Sequence, residues 1–234
     1  MAGMDLETAL RTTGAIREFE DREVPDDVLY RILEVARFAP SGGNRQAWRV
    51  IVVKDPAVRA RLRDLYLHGW YQYLAMGQAG LVPWAPVTDR EAEARALTNA
   101  AEVGAQAGRG PAGFAENLDR VPALLLLLAD LRGLAAVDRD LDRYTLVGGA
   151  SIYPFGWSIL LAAHDVGLGG VMTTMLVRDE SAALELLRAP EGWAVAGALV
   201  LGYPKGDRPT RLRRGPVEAF TALDRFDGSP LAPS

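Results

Sequence analysis

The chain of 234 residues contains no cysteine. Disulfides, thiolate nucleophiles and zinc–thiolate centres are therefore excluded. Histidine is nearly as scarce. His68 and His164 are its two copies, too few for a histidine-built metal site and without a Ser-His-Asp order for acyl transfer. Neither sign of charge dominates: 26 Lys and Arg against 30 Asp and Glu leave a net charge of −4, which gives nucleic acid no electrostatic foothold. The opening MetAlaGlyMetAspLeuGluThr lacks a basic-then-apolar leader, so a cytoplasmic location is expected. Repeats and low-complexity linkers are missing too, and a single domain over 1–234 is the simplest organisation. What is present, 49% hydrophobic and 24% charged residues, is a globular composition long enough to bury a sizeable core.

One stretch tests the expectation of no membrane span. Tyr144 to Ala163 carries no charge over twenty positions, the length of a bilayer crossing. It also holds Gly148, Gly149, Pro154, Gly156 and several hydroxyls, and the charged run Asp138 to Arg143 before it has no positive bias. A helix apolar all round fits the middle of a core or an obligate subunit interface, and that is the expectation.

The residues best suited to binding lie between Ala36 and Arg49. Apolar positions Val28, Leu29, Ile32, Leu33, Val35, Ala36 and Ala39 give a helix with one buried face, running up to Phe38 and stopping at Pro40. The stop follows because a residue before proline is driven out of the α region. Ser41, Gly42, Gly43 and Asn44 follow, and two residues without Cβ let a ligand approach the backbone. Arg45, Gln46, Trp48 and Arg49 add donors before the β-branched run Val50 to Val53. Such a loop suits a polar, planar or phosphorylated ligand. By composition alone, an ordinary helix-to-strand turn is the simpler account.

Elsewhere the pattern predicts a helix over Leu6 to Arg11 capped by Asp5, and a second opening at Val24-Pro25-Asp26-Asp27. Pro56 opens another through Leu65. The aromatics Tyr66, Trp70, Tyr71 and Tyr73 fit a pocket wall, a subunit interface or a core helix. Thr88 to Val103 reads as a charged helix, and Gly104 to Gly113 as a mobile glycine-rich segment without the preceding strand a phosphate loop needs. Val121 to Leu131, with five consecutive leucines, is expected as a central strand buried on both faces. Asp165 to Gly170 stops the apolar helix. Val171 to Leu176 is a short strand, Asp179 to Leu187 a helix with Ser181 as a candidate cap, and Trp193 to Tyr203 another buried strand. Arg208, Arg211, Arg213 and Arg214 form a basic cluster, ordinarily a solvated tail.

AlaProSerGlyGlyAsnArgGlnAlaTrpArg, from Ala39 to Arg49, resembles the ProSerGlyGlyAsnXaaGlnProTrpArg signature of the nitroreductase family, FMN-dependent oxidoreductases. Arg17-Glu18-Phe19 through Val24-Pro25, and Gly167-Leu168-Gly169, are similar to further motifs of that family in the same order. The likeness runs from about Leu6 to Asp227 and is weakest over Tyr66 to Gly113. It implies an α+β fold, a three-layer sandwich with a mixed, mostly antiparallel central sheet flanked by helices. It also implies a homodimer with FMN in the subunit interface, and no nucleic acid or membrane partner. NADH or NADPH would pass a hydride to FMN, which would then serve a nitroaromatic, quinone or similar electron-poor acceptor in a ping-pong cycle. The flavin carries the chemistry, so no catalytic side chain and no metal are expected.

The same resemblance assigns cofactor binding to Arg17, Ser41, Gly43, Asn44 and Gln46, and to Met172, Thr173 and Thr174 beside the flavin ring. Arg213 or Arg214 would join Arg17 on the phosphate, a geometry that guanidinium suits. The chain departs from the family where ArgArgSer is usual and Thr13-Gly14-Ala15 stands instead. Arg11 or the Thr12 and Thr13 hydroxyls are the available substitutes. The motifs also admit reductive dehalogenation or an oxidative ring reaction, a flavin-binding or storage protein without catalysis, and a fold relative that has lost flavin.

Overall fold

The five leucines do become a strand, and they divide the molecule. In the computed structural model, which describes residues 3–107, 113–207 and 210–233, the elements run α1 (Leu6–Thr12), α2 (Asp26–Ala36), β1 (Trp48–Val53), α3 (Pro56–Gln78), α4 (Arg90–Leu97), α5 (Ala100–Ala107), β2 (Ala123–Asp130), α6 (Tyr153–Asp165), β3 (Gly169–Thr173), α7 (Glu180–Leu186) and β4 (Trp193–Gly202). The sheet order is β1-β2-β4-β3 and all three ladders are antiparallel. A parallel contact comes from the isolated bridge Ala15–Gly170. Because side chains alternate along a strand, Leu125 and Leu127 face α2 and α6, packing with Leu29, Ile32, Phe155 and Ile159. Leu124, Leu126 and Leu128 face α3 on the other side, with Leu62, Tyr66 and Leu176. Each such leucine contributes about 1.5–3 kcal/mol by burial. The result is the expected three-layer α+β sandwich.

The helix starts follow the caps. Asp5 accepts the Thr8 N–H at 3.0 Å. Asp55 accepts those of Ala57 and Val58 at 2.8 and 3.1 Å, with Pro56 in the first turn. Other boundaries differ from expectation. The helix from Pro56 does not end near Leu65 but continues to Gln78, carrying the aromatics. Gly69 does not break it, because the helix presses there on the chain after β3: a Cβ would stand 2.8 Å from the Met175 carbonyl oxygen. The charged helix is split in two at Thr98, whose hydroxyl donates to the Arg95 carbonyl at 2.7 Å, a local bond that competes with the helical ladder. The uncharged stretch passes through a short 3-10 helix, Val147–Ser151, and becomes α-helical only at Tyr153, where Pro154 suits the first turn; Tyr144 and Leu146 before it are exposed. Ser181 lies inside α7, and Asp179 precedes the helix. α2 stops at Ala36, leaving Val35 and Phe38 exposed. Gly104 belongs to α5 and packs on the Tyr71 ring. Half of the glycine-rich segment, 108–112, and Arg208 lie outside the described residues.

Asp138, only 2% exposed, anchors the loop that leads into α6. Its carboxylate accepts the Leu146 N–H and Arg143 Nη1 at 2.8 Å each, and the Val147 N–H at 3.3 Å. Among the described residues no helix is long and apolar enough to cross a membrane.

Candidate functional site

The 41–46 loop is strained and held from several sides. Gly43, Asn44 and Gln46 have φ of 60°, 53° and 49°. This left-handed region suits glycine and costs other residues on the order of 1–3 kcal/mol each. Ser41 Oγ accepts the Gln46 N–H at 3.0 Å, and Ser151 Oγ accepts the Gly42 N–H at 3.0 Å. The Gln46 amide donates to the Asn44 carbonyl and side-chain oxygens at 3.3 Å. Where the loop enters β1, Trp48 stacks on Phe155 of α6 with centroids 4.5 Å apart and an 11° tilt. Asn44, Arg45 and Gln46 stay exposed. Strain maintained this way presents polar side chains outward.

A second group lies at the opposite sheet edge. The Ile16 N–H donates to the Gly170 carbonyl at 2.9 Å, and the Lys205 N–H to that of Glu18 at 3.0 Å. These bonds pin the segment bearing Arg17 along β3 and the end of β4. Arg17 lines an open cleft of about 860 Å³ with Arg59, Asp119, Arg120 and Lys205. Glu18, Glu20, Asp21 and Glu23 share the cleft, so its charge is mixed. Met172 fills the space left by Gly156, where a Cβ would stand 3.0 Å from its sulfur. Gly197 admits the Thr173 carbonyl in the same way, at 2.9 Å from a would-be Cβ. Thr174 is exposed.

Tyr66 was not assigned to the site from sequence, yet its hydroxyl lies 3.1 Å from Thr173 Oγ1. Burial pushes its phenol pKa up, against the bond to Thr173 and the field of Arg17, while Glu116 adds to the rise. The aromatic density of 66–73 was the only signal for it, and that signal fits a core helix as readily as a pocket wall.

The basic tail forms a third group. The Leu212 N–H donates to the Arg11 carbonyl at 2.8 Å, laying the tail against the end of α1. Arg11 and Arg211 border a small cleft there with Thr8 and Thr12. Arg214 Nη1 turns back onto the Arg213 carbonyl at 2.7 Å. The nearby threonines are committed: Thr13 Oγ1 donates to the Ala9 carbonyl and Thr12 Oγ1 to that of Thr8, both at 2.7 Å. Thr12 Oγ1 also lies 2.8 Å from His164 Nε2.

Within one chain the 41–46 loop stays apart from the other two groups, which adjoin each other at Thr12. The register puts Trp48 of β1 and Thr173 of β3 toward the same end of the sheet. Three interstrand spacings, about 14 Å, separate those edges.

The nitroreductase family model matches residues 10–203. An NADH dehydrogenase of Thermus thermophilus is 32% identical over 206 residues, spanning 86% of this chain and 87% of that protein. Among solved structures, an oxidised iodotyrosine deiodinase bound to FMN and 3-iodo-L-tyrosine superposes with a TM-score of 0.63 at 21% identity, over 94% of this chain and 100% of that one. The NADPH:FMN oxidoreductase of Vibrio harveyi, complexed with NAD+, gives 0.60 at 20% identity, over 93% and 76%. These two likenesses are of fold. Together with the three-layer sandwich and the glycine-rich loop before β1, the match over residues 10–203 places the chain in the nitroreductase family.

Proposed function

We propose that this chain is an FMN-dependent oxidoreductase that takes a hydride from NADH or NADPH and delivers it, through bound flavin, to a nitroaromatic, quinone or similar electron-poor small molecule. The 41–46 loop carries the reading: a strained, multiply anchored loop that offers Asn44, Arg45 and Gln46 to solvent. The donor set fits FMN. Side-chain amides suit the carbonyl and N–H edges of a flavin ring, and Arg17, Arg213 and Arg214 suit a phosphate dianion. When bound, FMN supplies the hydride chemistry. Ser41, Gly43, Asn44 and Gln46 would bind and orient it, Met172, Thr173 and Thr174 would border its ring, and no side chain has to move a proton. The names of the Thermus, Vibrio and deiodinase relatives support the nicotinamide and FMN assignments.

The complete site belongs to two copies of the chain, the 41–46 loop of one meeting Arg17 and the 172–174 segment of the other. The separation of these groups across the sheet supports this. So do the exposed apolar residues Tyr30, Val35 and Phe38 before the loop and Tyr153 and Trp157 after its Ser151 anchor. A second reading, reductive dehalogenation of a halophenol, draws on the deiodinase likeness.

A visible spectrum of purified protein, before and after anaerobic NADH or NADPH, tests the proposal. Flavin bands that bleach are the expected result, followed by turnover of nitroaromatics or quinones in preference to halophenols. Bands that persist with both donors favour flavin storage. Colourless protein that takes up no added FMN refutes the flavoenzyme.

A further inference from the structure

We propose that Tyr66 is a positioning residue that fixes the Thr173 hydroxyl as an outward-pointing hydrogen-bond donor to the cofactor. The inference rests on the placement of the 172–174 segment beside FMN.

Its basis is the hydrogen bond between the two hydroxyls, whose direction follows because the described residues offer the Tyr66 hydroxyl no other side-chain partner. Tyr66 is 2% exposed, so its proton needs an internal acceptor, and Thr173 Oγ1 at 3.1 Å is there to accept it. An unmet buried donor would cost about 1–3 kcal/mol. Burial also keeps the phenol protonated through neutral pH. Thr173 is half-buried, so its own proton is left to point away from the core, at the last residue of an edge strand. A hydroxyl that accepts one bond donates the next more strongly.

The tyrosine itself is held in place. Its ring stacks on Trp70 with centroids 6.4 Å apart and meets Phe114 edge-on at 6.5 Å. Three residues further along α3, Gly69 lets the helix close on the chain after Thr174, where a Cβ would strike the Met175 carbonyl at 2.8 Å and Arg178 Cγ at 2.9 Å. The helix that carries the phenol and the strand end that carries the threonine are thereby braced together.

The test is a double-mutant cycle read by FMN dissociation constant and by flavin midpoint potential. Tyr66→Phe keeps the ring, Thr173→Val keeps the shape, and Thr173→Ser keeps the hydroxyl. Tyr66→Phe and Thr173→Val are each expected to raise the FMN Kd about 3- to 10-fold, the range for a neutral hydrogen bond. The double variant should bind no worse than Thr173→Val, the two single variants should shift the potential in the same direction, and Thr173→Ser should behave as wild type. Additive losses, or Thr173→Ser as weak as Thr173→Val, overturn the inference while leaving the flavin reading intact. Wild-type protein that binds no FMN overturns both. Thermal melts identify a variant that fails to fold; should Tyr66→Phe be one, the comparison of Thr173→Ser with Thr173→Val decides.

Discussion

Gly170→Ala is expected to destabilise the fold more than any other single methyl group added to β3. A Cβ at Gly170 would stand 2.5 Å from the Val200 carbonyl oxygen, 2.6 Å from Leu201 Cδ2 and 3.1 Å from Leu160 Cδ2. The leucine side chains can rotate, but the carbonyl belongs to the backbone of β4 and cannot. The strand must therefore move, and the Ile16 N–H bond to the Gly170 carbonyl loosens with it. Overpacking of this kind costs about 1–3 kcal/mol and the weakened bond about 0.5–1.5, so the loss is about 2–4 kcal/mol. For a chain of this size that lowers Tm by roughly 5–15 °C. Gly77→Ala is the control: nothing lies within 4 Å of its Cβ position in α3, and the gain in helix propensity should stabilise by about 0.5–1 kcal/mol. Urea unfolding at one fixed protein concentration reads both, since association would add to apparent stability. A Gly170→Ala variant within about 0.5 kcal/mol of wild type, the range of an ordinary surface substitution, would refute the steric reasoning.

Three further outcomes are expected. Ser151→Ala removes the acceptor of the Gly42 N–H, worth about 1 kcal/mol, so trypsin should cut after Arg45 about fivefold faster; an unchanged rate means that Ser151 does not anchor the loop. Asp138 is held below the usual carboxylate range chiefly by the Leu146 N–H, then by Arg143 and the Val147 N–H, with burial opposing. Its stabilisation is complete above the unfolded value of about 3.9 and fades as pH falls through the lower folded value. Asp138→Asn should accordingly flatten the acid side of a Tm-versus-pH curve, and parallel curves would exclude this role. Arg214→Ala should raise the FMN Kd about 10- to 150-fold if a charge-assisted phosphate contact is lost; unaltered flavin occupancy removes Arg214 from the site.

The parts of this structure legible from sequence are those governed by neighbours in the chain. Asp5 and Asp55 cap their own helices, and Leu124 to Leu128 are too apolar for anything but a strand covered twice. What stayed hidden depends on distant contacts. Gly69 reads as a helix weakness until Met175, more than a hundred residues away, is found against it. The Tyr66–Thr173 bond spans 107 positions, and no local pattern ties a phenol to a hydroxyl so far along the chain. Thr12 and Thr13 read as spare donors because nothing local shows that their protons close onto α1.

The uniformity of β2 has a consequence for how the sheet finds its alignment. Moving a strand by two residues preserves which side chains face which layer, and within Leu124 to Leu128 such a slip replaces leucine by leucine at three of the five positions. At those three the strand is a ruler without graduations, and at the other two the slip brings in the flanking residues. Its zero is set at the margins: by Pro122, which has no N–H to give, by small Ala123 and Ala129, and by Asp130, tied to Arg132 at 2.8 Å. On the neighbouring strand the register jumps by one, Leu127 facing Gly197 and Leu128 facing Val195, so Ala196 is the extra residue. The most hydrophobic segment of the protein thus supplies cohesion, and its plainer flanks supply the address.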